Sequence, residues 1–168
     1  PEGDKNFKGR AIQNMLNIEP DDSVNAMLRL RGLNDEEFVN SHYVVFATKN
    51  GTIKKTCLEA YSRPRTNGVN AINIVEGDEV VDVRLTNGKN EIILANRNGR
   101  AVRFDENTVR AMGRVSTGVR GMQLDGDDDQ VVGMIIVNDA ETETVMVVSE
   151  NGYGKRSQVE DYRKTNRG

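Results

Sequence analysis

The sequence predicts an all-β chain built from propeller-like repeats of about four strands each. Three observations carry this. An apolar run, an Asn-Gly pair and a second run ending in basic residues recur at 44–55, 92–103 and 145–156, with the Asn-Gly pairs 48 and 53 residues apart. An acidic turn followed by an apolar run recurs at 19–28, 76–85 and 125–137. No long stretch keeps the apolar period of roughly 3.6 residues that marks an amphipathic helix.

Taken in order, residues 8–12 read as the loop element of a preceding, truncated repeat, and 24–28 as a strand after the first acidic turn. Residues 31–42 form an acidic loop that lengthens the first interval. The hairpins then turn on Asn50-Gly51, Asn98-Gly99 and Asn151-Gly152. Asn-Gly suits a two-residue type I′ turn, in which both central positions need positive φ. Short helical turns are expected at 57–61 and 106–112. A loop element follows each complete hairpin, with Gly68 and Gly118 as its shared glycines, 50 residues apart; 162–168 begins it again. The repeat segments are 1–31 (the end of a blade), 43–86, 91–137 and 144–168 (the start of a blade), all within one domain. Pro1 and Gly168 read as the edges of an excised fragment, whose truncated blades leave open strand edges and favour self-association.

Composition bounds the function. The chain has 168 residues, 36% hydrophobic and 29% charged, with no tryptophan. Its longest apolar run, 131–137, is too short to span a bilayer. Cys57 is the only cysteine and His42 the only histidine, which excludes an intrachain disulfide and a histidine-rich metal centre and points to a reducing, cytoplasmic home. Asp125, Asp127 and Asp129 alternate like a calcium loop, but Gln130 and Ile136 stand where glycine and glutamate are required, so a solvated turn is expected. Gly113 and Gly118 have P-loop spacing, yet Val119 replaces the lysine. Cys57 reads as an ordinary half-buried cysteine and His42 as a surface histidine. No constellation for catalysis, cofactor or metal binding is present.

The charge is segregated. The net value is −3, but 97–120 carries six arginines against two acids and 153–168 five bases against two, while 76–82, 125–129 and 139–150 each hold four acids. Bases recur at matching places in each unit: Lys8 and Arg10; Lys54, Lys55, Arg63 and Arg65; Arg100, Arg103, Arg114 and Arg120; Lys155, Arg156, Arg163, Lys164 and Arg167. Repeating blades would set these around a rim as a periodic positive track, which suits phosphates because they are equivalent along a strand. Few aromatics argue against single-strand stacking, and no Trp-Asp or kelch signature supports a propeller-like protein-interaction module.

Residues 8–18, 50–56, 110–121 and 150–156 resemble the C-terminal domain of the bacterial DNA gyrase A protein, and the similarity runs essentially from end to end. The resemblance implies a β-pinwheel, here an incomplete ring, whose blades exchange strands. It implies sequence-independent binding and wrapping of double-stranded DNA, in support of negative supercoiling by a bacterial cytoplasmic, chromosome-associated topoisomerase. ATP and Mg would belong to that holoenzyme, with the rest of gyrase A and the gyrase B protein as partners, and the fragment itself would carry no catalytic residue. The family's gyrase box is absent from this sequence. The equivalent domain of topoisomerase IV is the alternative within the same class.

Overall fold

The computed structural model describes residues 8–9, 11–14, 16, 18–19, 21–65 and 68–168. Nine strands form among these residues: β1 (Tyr43–Thr48), β2 (Thr52–Cys57), β3 (Val80–Thr86), β4 (Glu91–Asn96), β5 (Ala101–Asp105), β6 (Val119–Arg120), β7 (Val131–Val137), β8 (Thr144–Val148) and β9 (Gly154–Gln158). Three antiparallel sheets result, in the orders β3-β1-β2-β6, β5-β4-β7 and β8-β9. They do not close into a ring among the described residues. No helix there is long and apolar enough to cross a membrane.

The sheets are built to one plan. Hairpins β1-β2, β4-β5 and β8-β9 lead each repeat, and in the first two the strand after the acidic turn returns to flank the hairpin's first strand. Both returning strands slip register at the same place, between Ala47 and Thr48 and between Ala95 and Asn96. The fourth strand of the first sheet is β6, which comes from the loop that follows β5 and pairs with β2. Chain from one repeat thus completes the sheet of the repeat before it. The next loop starts the same exchange, since Thr165 N–H donates to Arg103 O at 2.8 Å as Met112 N–H donates to Lys55 O at 2.9 Å.

Several expectations change in detail. Residues 31–42 contain a short helix, α1 (Glu36–Ser41), started by Asp35, whose carboxylate accepts from the N–H groups of Glu37 and Phe38. Residues 24–28 form no strand. The expected helical turns are 3-10 turns at Leu58–Tyr61 and Glu106–Thr108, joined by two others at Ile12–Asn14 and Val159–Asp161.

The Asn-Gly turns are not type I′. Asn50, Asn98 and Asn151 keep negative φ, and only the glycines lie at positive φ, from +81° to +86°. Each loop has three residues, closed by the glycine N–H onto the carbonyl of Thr48, Asn96 or Ser149. The side chains of those same three residues accept the N–H of Thr52, Arg100 and Tyr153 at 3.1, 2.7 and 3.2 Å. The extra residue is stabilised by a polar side chain just before the Asn-Gly pair, which pair-based reading overlooks.

One part of the core, Val44, Phe46 and Leu58 with Val39, is buried at the first repeat, and the rest lies between repeats. Val45 shares a buried cluster with Ile92, Phe104 and Val109 of the next repeat, and Ile93 shares one with Val145 and Val159 of the repeat after that. Gly121 sits where the first two repeats meet, and a Cβ there would stand 2.9 Å from side-chain carbons of Ile53 and Leu94. Gly121→Ala is expected to cost about 1–3 kcal/mol through overpacking. Gly133→Ala, which meets nothing within 4 Å, should leave the melting temperature nearly unchanged. Equal melting temperatures for the two variants would contradict this packing.

Candidate nucleic-acid interface

Bases aligned by repeat do not share one environment. Lys54, Lys55 and Arg103 were expected on a phosphate track, but they are 0%, 3% and 8% exposed. Their heads are consumed inside the fold. Lys55 Nζ donates to the carbonyl of Glu106 at 3.0 Å and pairs with its carboxylate at 3.3 Å. That carboxylate, itself wholly buried, also accepts from Thr86 Oγ1 and Asn90 N–H, both at 2.8 Å. Arg103 pairs with Glu91 at 2.5 Å and donates through Nη1 to the carbonyls of Val159 and Tyr162, both at 3.0 Å. Desolvation pushes the Glu91 carboxyl up, but hydrogen bonds from Arg103 and Lys164 outweigh it and hold the group below its usual range. These cations brace one repeat on the next, because a charge placed in a packed seam must be paired.

Lys54 is buried directly under the exposed loops. Its ammonium donates to the carbonyl of Ala71 at 2.6 Å and to that of Arg114. It therefore ties the loop of the first repeat to the loop of the second. Arg114 adds a link by donating to Asn70 O at 3.0 Å.

The remaining expected bases are accessible in differing degree. Arg65 and Arg114 line one recess of about 300 Å³ with Gly68, Val69, Asn70 and Val115. Past Val115 the same loop carries Arg120 into a second recess, of about 350 Å³, which includes Met122 and Gln123. Those two residues also wall a third recess holding Arg100, and Thr165 and Asn166 continue it into a fourth with Arg163 and Lys164. Arg167 is woven into this region by donating to Arg120 O at 2.7 Å and Thr108 O at 2.9 Å. Three recesses with shared walls, and a fourth reached along the loop from Val115, thus carry exposed or half-buried bases.

Some of these charges are already engaged. Arg100 meets Asp125 at 2.5 Å on the surface, and the hydrogen bond raises the guanidinium above its ordinary value. Lys164 bridges Glu91 at 2.7 Å and Asp105 at 3.5 Å. Arg63 stands apart, in a recess with Glu36 and Glu59. Lys8, Lys155 and Arg156 are exposed, and Arg10 lies outside the described residues. Arg110, exposed and one repeat before Arg163, was passed over in the sequence; the 53-residue repeat offset was the signal for it.

The acidic turns are not merely solvated. Asp129 is 5% exposed, and its carboxylate accepts from Asn96 Nδ2 at 2.6 Å and from the N–H groups of Asp125 and Gln130. In the first repeat Asp78 accepts from Asn50 N–H at 2.9 Å. Both turns therefore hold hairpin loops, and they spend negative charge internally. His42 is half-buried rather than on the surface, stacked on Phe38 with ring centroids 4.0 Å apart. Cys57 is half-buried, with its thiol 3.4 Å from Val39 O.

Two outcomes follow from the buried charges. Glu106→Ala would leave Lys55 unpaired in the seam and should cost about 3–5 kcal/mol in urea unfolding; a loss below about 1 kcal/mol would contradict it. For Lys54, burial and then the Arg114 charge lower the ammonium to about 8. The folded chain gives up this proton before the unfolded chain does, so stability rises with pH from about 8 to the unfolded value of 10.5. Lys54→Met should abolish that rise in melting temperature.

The comparisons agree with this architecture. The family model described as DNA gyrase C-terminal domain, beta-propeller, matches residues 42–87, 90–138 and 143–168. The DNA gyrase A protein of Salmonella typhimurium strain LT2 is 44% identical over 162 residues, which is 96% of this chain and 18% of that protein. The gyrase A protein of Staphylococcus epidermidis strain ATCC 12228 is 40% identical over all 168 residues, again 18% of the relative's length. The chain therefore spans about a fifth of these relatives. Among solved structures, a C-terminal domain of DNA topoisomerase IV is 32% identical with a TM-score of 0.81, covering 95% of this chain and 47% of that one. A DNA gyrase A C-terminal domain has a TM-score of 0.82 at 24% identity, covering 96% and 51%, a likeness of fold. With family blocks falling on all three hairpin repeats and the strand exchange between them, the chain belongs to the DNA gyrase C-terminal domain family.

Proposed function

We propose that this chain binds and wraps duplex DNA without reading its sequence, as a non-catalytic part of a bacterial DNA gyrase A protein. The observation that carries the reading is the set of four recesses, three of them sharing walls, with Arg65, Arg114, Arg120, Arg100, Arg163 and Lys164 among their lining residues. Guanidinium groups spaced along a curved, rigid surface neutralise successive phosphates, and the counterions released supply the free energy. The buried Lys54 holds two of the loops at a set spacing, so the bend is imposed by a scaffold rather than by mobile side chains. In the holoenzyme, wrapping would present a crossing segment to the cleavage core for ATP-dependent negative supercoiling. ATP and Mg would be used elsewhere in that assembly, with the rest of gyrase A and the gyrase B protein as partners.

The second reading is the equivalent domain of topoisomerase IV, favoured by the 32% identity to that solved domain. Supercoiling rather than decatenation by the full assembly distinguishes the first from the second.

Titrating the chain with random-sequence linear duplex of up to about 150 base pairs tests binding, each phosphate contact adding about −0.9 to the slope of log K against log salt. The combined reversal Arg65→Glu, Arg114→Glu and Arg120→Glu should weaken binding at least about tenfold and flatten the slope by roughly 2 to 3. Unchanged affinity in a folded triple variant would remove this run of recesses from DNA binding.

A further inference from the structure

Lys54 has no partner of opposite charge. Its ammonium is wholly enclosed, donates to the carbonyls of Ala71 and Arg114, and lies 5.3 Å from the centre of the Phe46 ring. Among the described residues no carboxylate comes within ion-pair distance of it, in contrast to Lys55 and Arg103. The ionisable groups that face it are Arg114 and Tyr61, whose hydroxyl donates to the same Ala71 carbonyl at 2.8 Å. Glu59, on the same turn as Tyr61, lines the recess of Arg63 instead. An ammonium buried against carbonyls alone keeps its whole charge uncompensated, which is costly.

The stacking of the loops does not demand that charge. At both loop junctions the later loop's arginine donates through Nη1 to the carbonyl two residues past the earlier loop's shared glycine, Arg114 onto Asn70 and Arg167 onto Arg120. At the second junction Val102 takes the position of Lys54, pairing across to Leu94 as Lys54 pairs to Phe46. The carbonyl of Gly121, equivalent to that of Ala71, accepts the N–H of Gly168 there at 3.0 Å. Of these two junctions only the first has a lysine, one hydrogen bond behind Arg114 in the wall of the recess it shares with Arg65. Among the described residues no acid lines that recess, whereas those of Arg100 and of Lys164 include Asp125 and Asp105.

We propose that the recess between the first two loops is a seat for a backbone phosphate and that Lys54 is its positioning residue: the enclosed ammonium fixes both walls and leaves behind them a positive charge that the phosphate neutralises. The inference rests on duplex binding as proposed above, and adds that binding and protonation of Lys54 favour one another. Arg65 and Arg114 touch the phosphodiester; Lys54 acts from behind them. Burial and then the Arg114 charge lower the ammonium to about 8, and an anion in the recess raises it again. Burial pushes the Tyr61 hydroxyl up, away from the same range. Above about pH 8 the duplex therefore takes up a proton as it binds, and affinity falls as pH rises.

Two readings on this chain test it. The first needs no variant: the Lys54 Nζ titration, followed by NMR in the free chain and in the chain saturated with random-sequence duplex at low salt. Its midpoint should rise by at least about half a pH unit in the complex. The second is duplex affinity from about pH 7 to about pH 9.5, which should fall about threefold in the native chain. In Lys54→Arg, whose guanidinium keeps its proton throughout, the fall should be absent or much smaller. An unmoved midpoint in the saturated chain would overturn the inference and leave DNA binding standing. The same pH dependence in the native chain and in folded Lys54→Arg would put the titrating group elsewhere and overturn it too. No salt-dependent duplex binding at about pH 7 would overturn both this seat and the DNA-binding reading beneath it.

Discussion

One constraint governs this chain: each repeat leaves one apolar face of its hairpin to be buried by the next. Val45 and Ile93 each point away from the sheet they belong to and are dry only because the next repeat lies on them. At about 1.5–3 kcal/mol for each such side chain removed from water, the seams carry a stabilisation on the scale of the whole domain's net stability. Strand exchange follows from the same need. Sending β6 back to the edge of β2 covers that edge and locks the loop 113–120 across the seam it came from.

The interior charges are consequences of that seam. A long cationic side chain at the end of β2 or β5 can reach carbonyl groups of the next 3-10 turn while its stem lies along apolar surface. Burying the ammonium or guanidinium is tolerable because each has a carboxylate and at least one carbonyl. Such a pair contributes little net energy compared with apolar residues of similar size, but breaking it leaves an uncompensated charge in the seam.

The fold was largely legible in the sequence because period and turn chemistry are local. Asn-Gly pairs, acidic turns and β-branched runs located the hairpins and the returning strands β3 and β7. Loop length escaped because it depends on Thr48, Asn96 and Ser149, whose side chains act across the turn and differ chemically. The helix α1 escaped because six residues, two of them glutamates, leave no periodic apolar signature. The candidate site was less legible. Alignment by repeat shows where a base recurs, but not whether it faces solvent or the next repeat. Lys54 and Lys55 are neighbours on one strand, point to opposite faces, and are both enclosed, because the strand has chain packed on each side.

A pattern of acids, rather than of bases, would have separated the two roles. Lys55 finds its carboxylate on Glu106 in the following repeat, and the aromatic ring of Tyr43 lies 4.7 Å from its Nζ. One repeat on, Val159 replaces that glutamate, and the carboxylate comes instead from Glu91, which takes the place of Tyr43. Lys55 and Arg103 each have one buried or half-buried acid, supplied from the following repeat in one case and from the same hairpin in the other. The third base, Arg156, has Thr144 where Glu91 would be. An acid is not the only means of burying a cation in this fold, since Lys54 is wholly enclosed with the carbonyls of Ala71 and Arg114 as its partners.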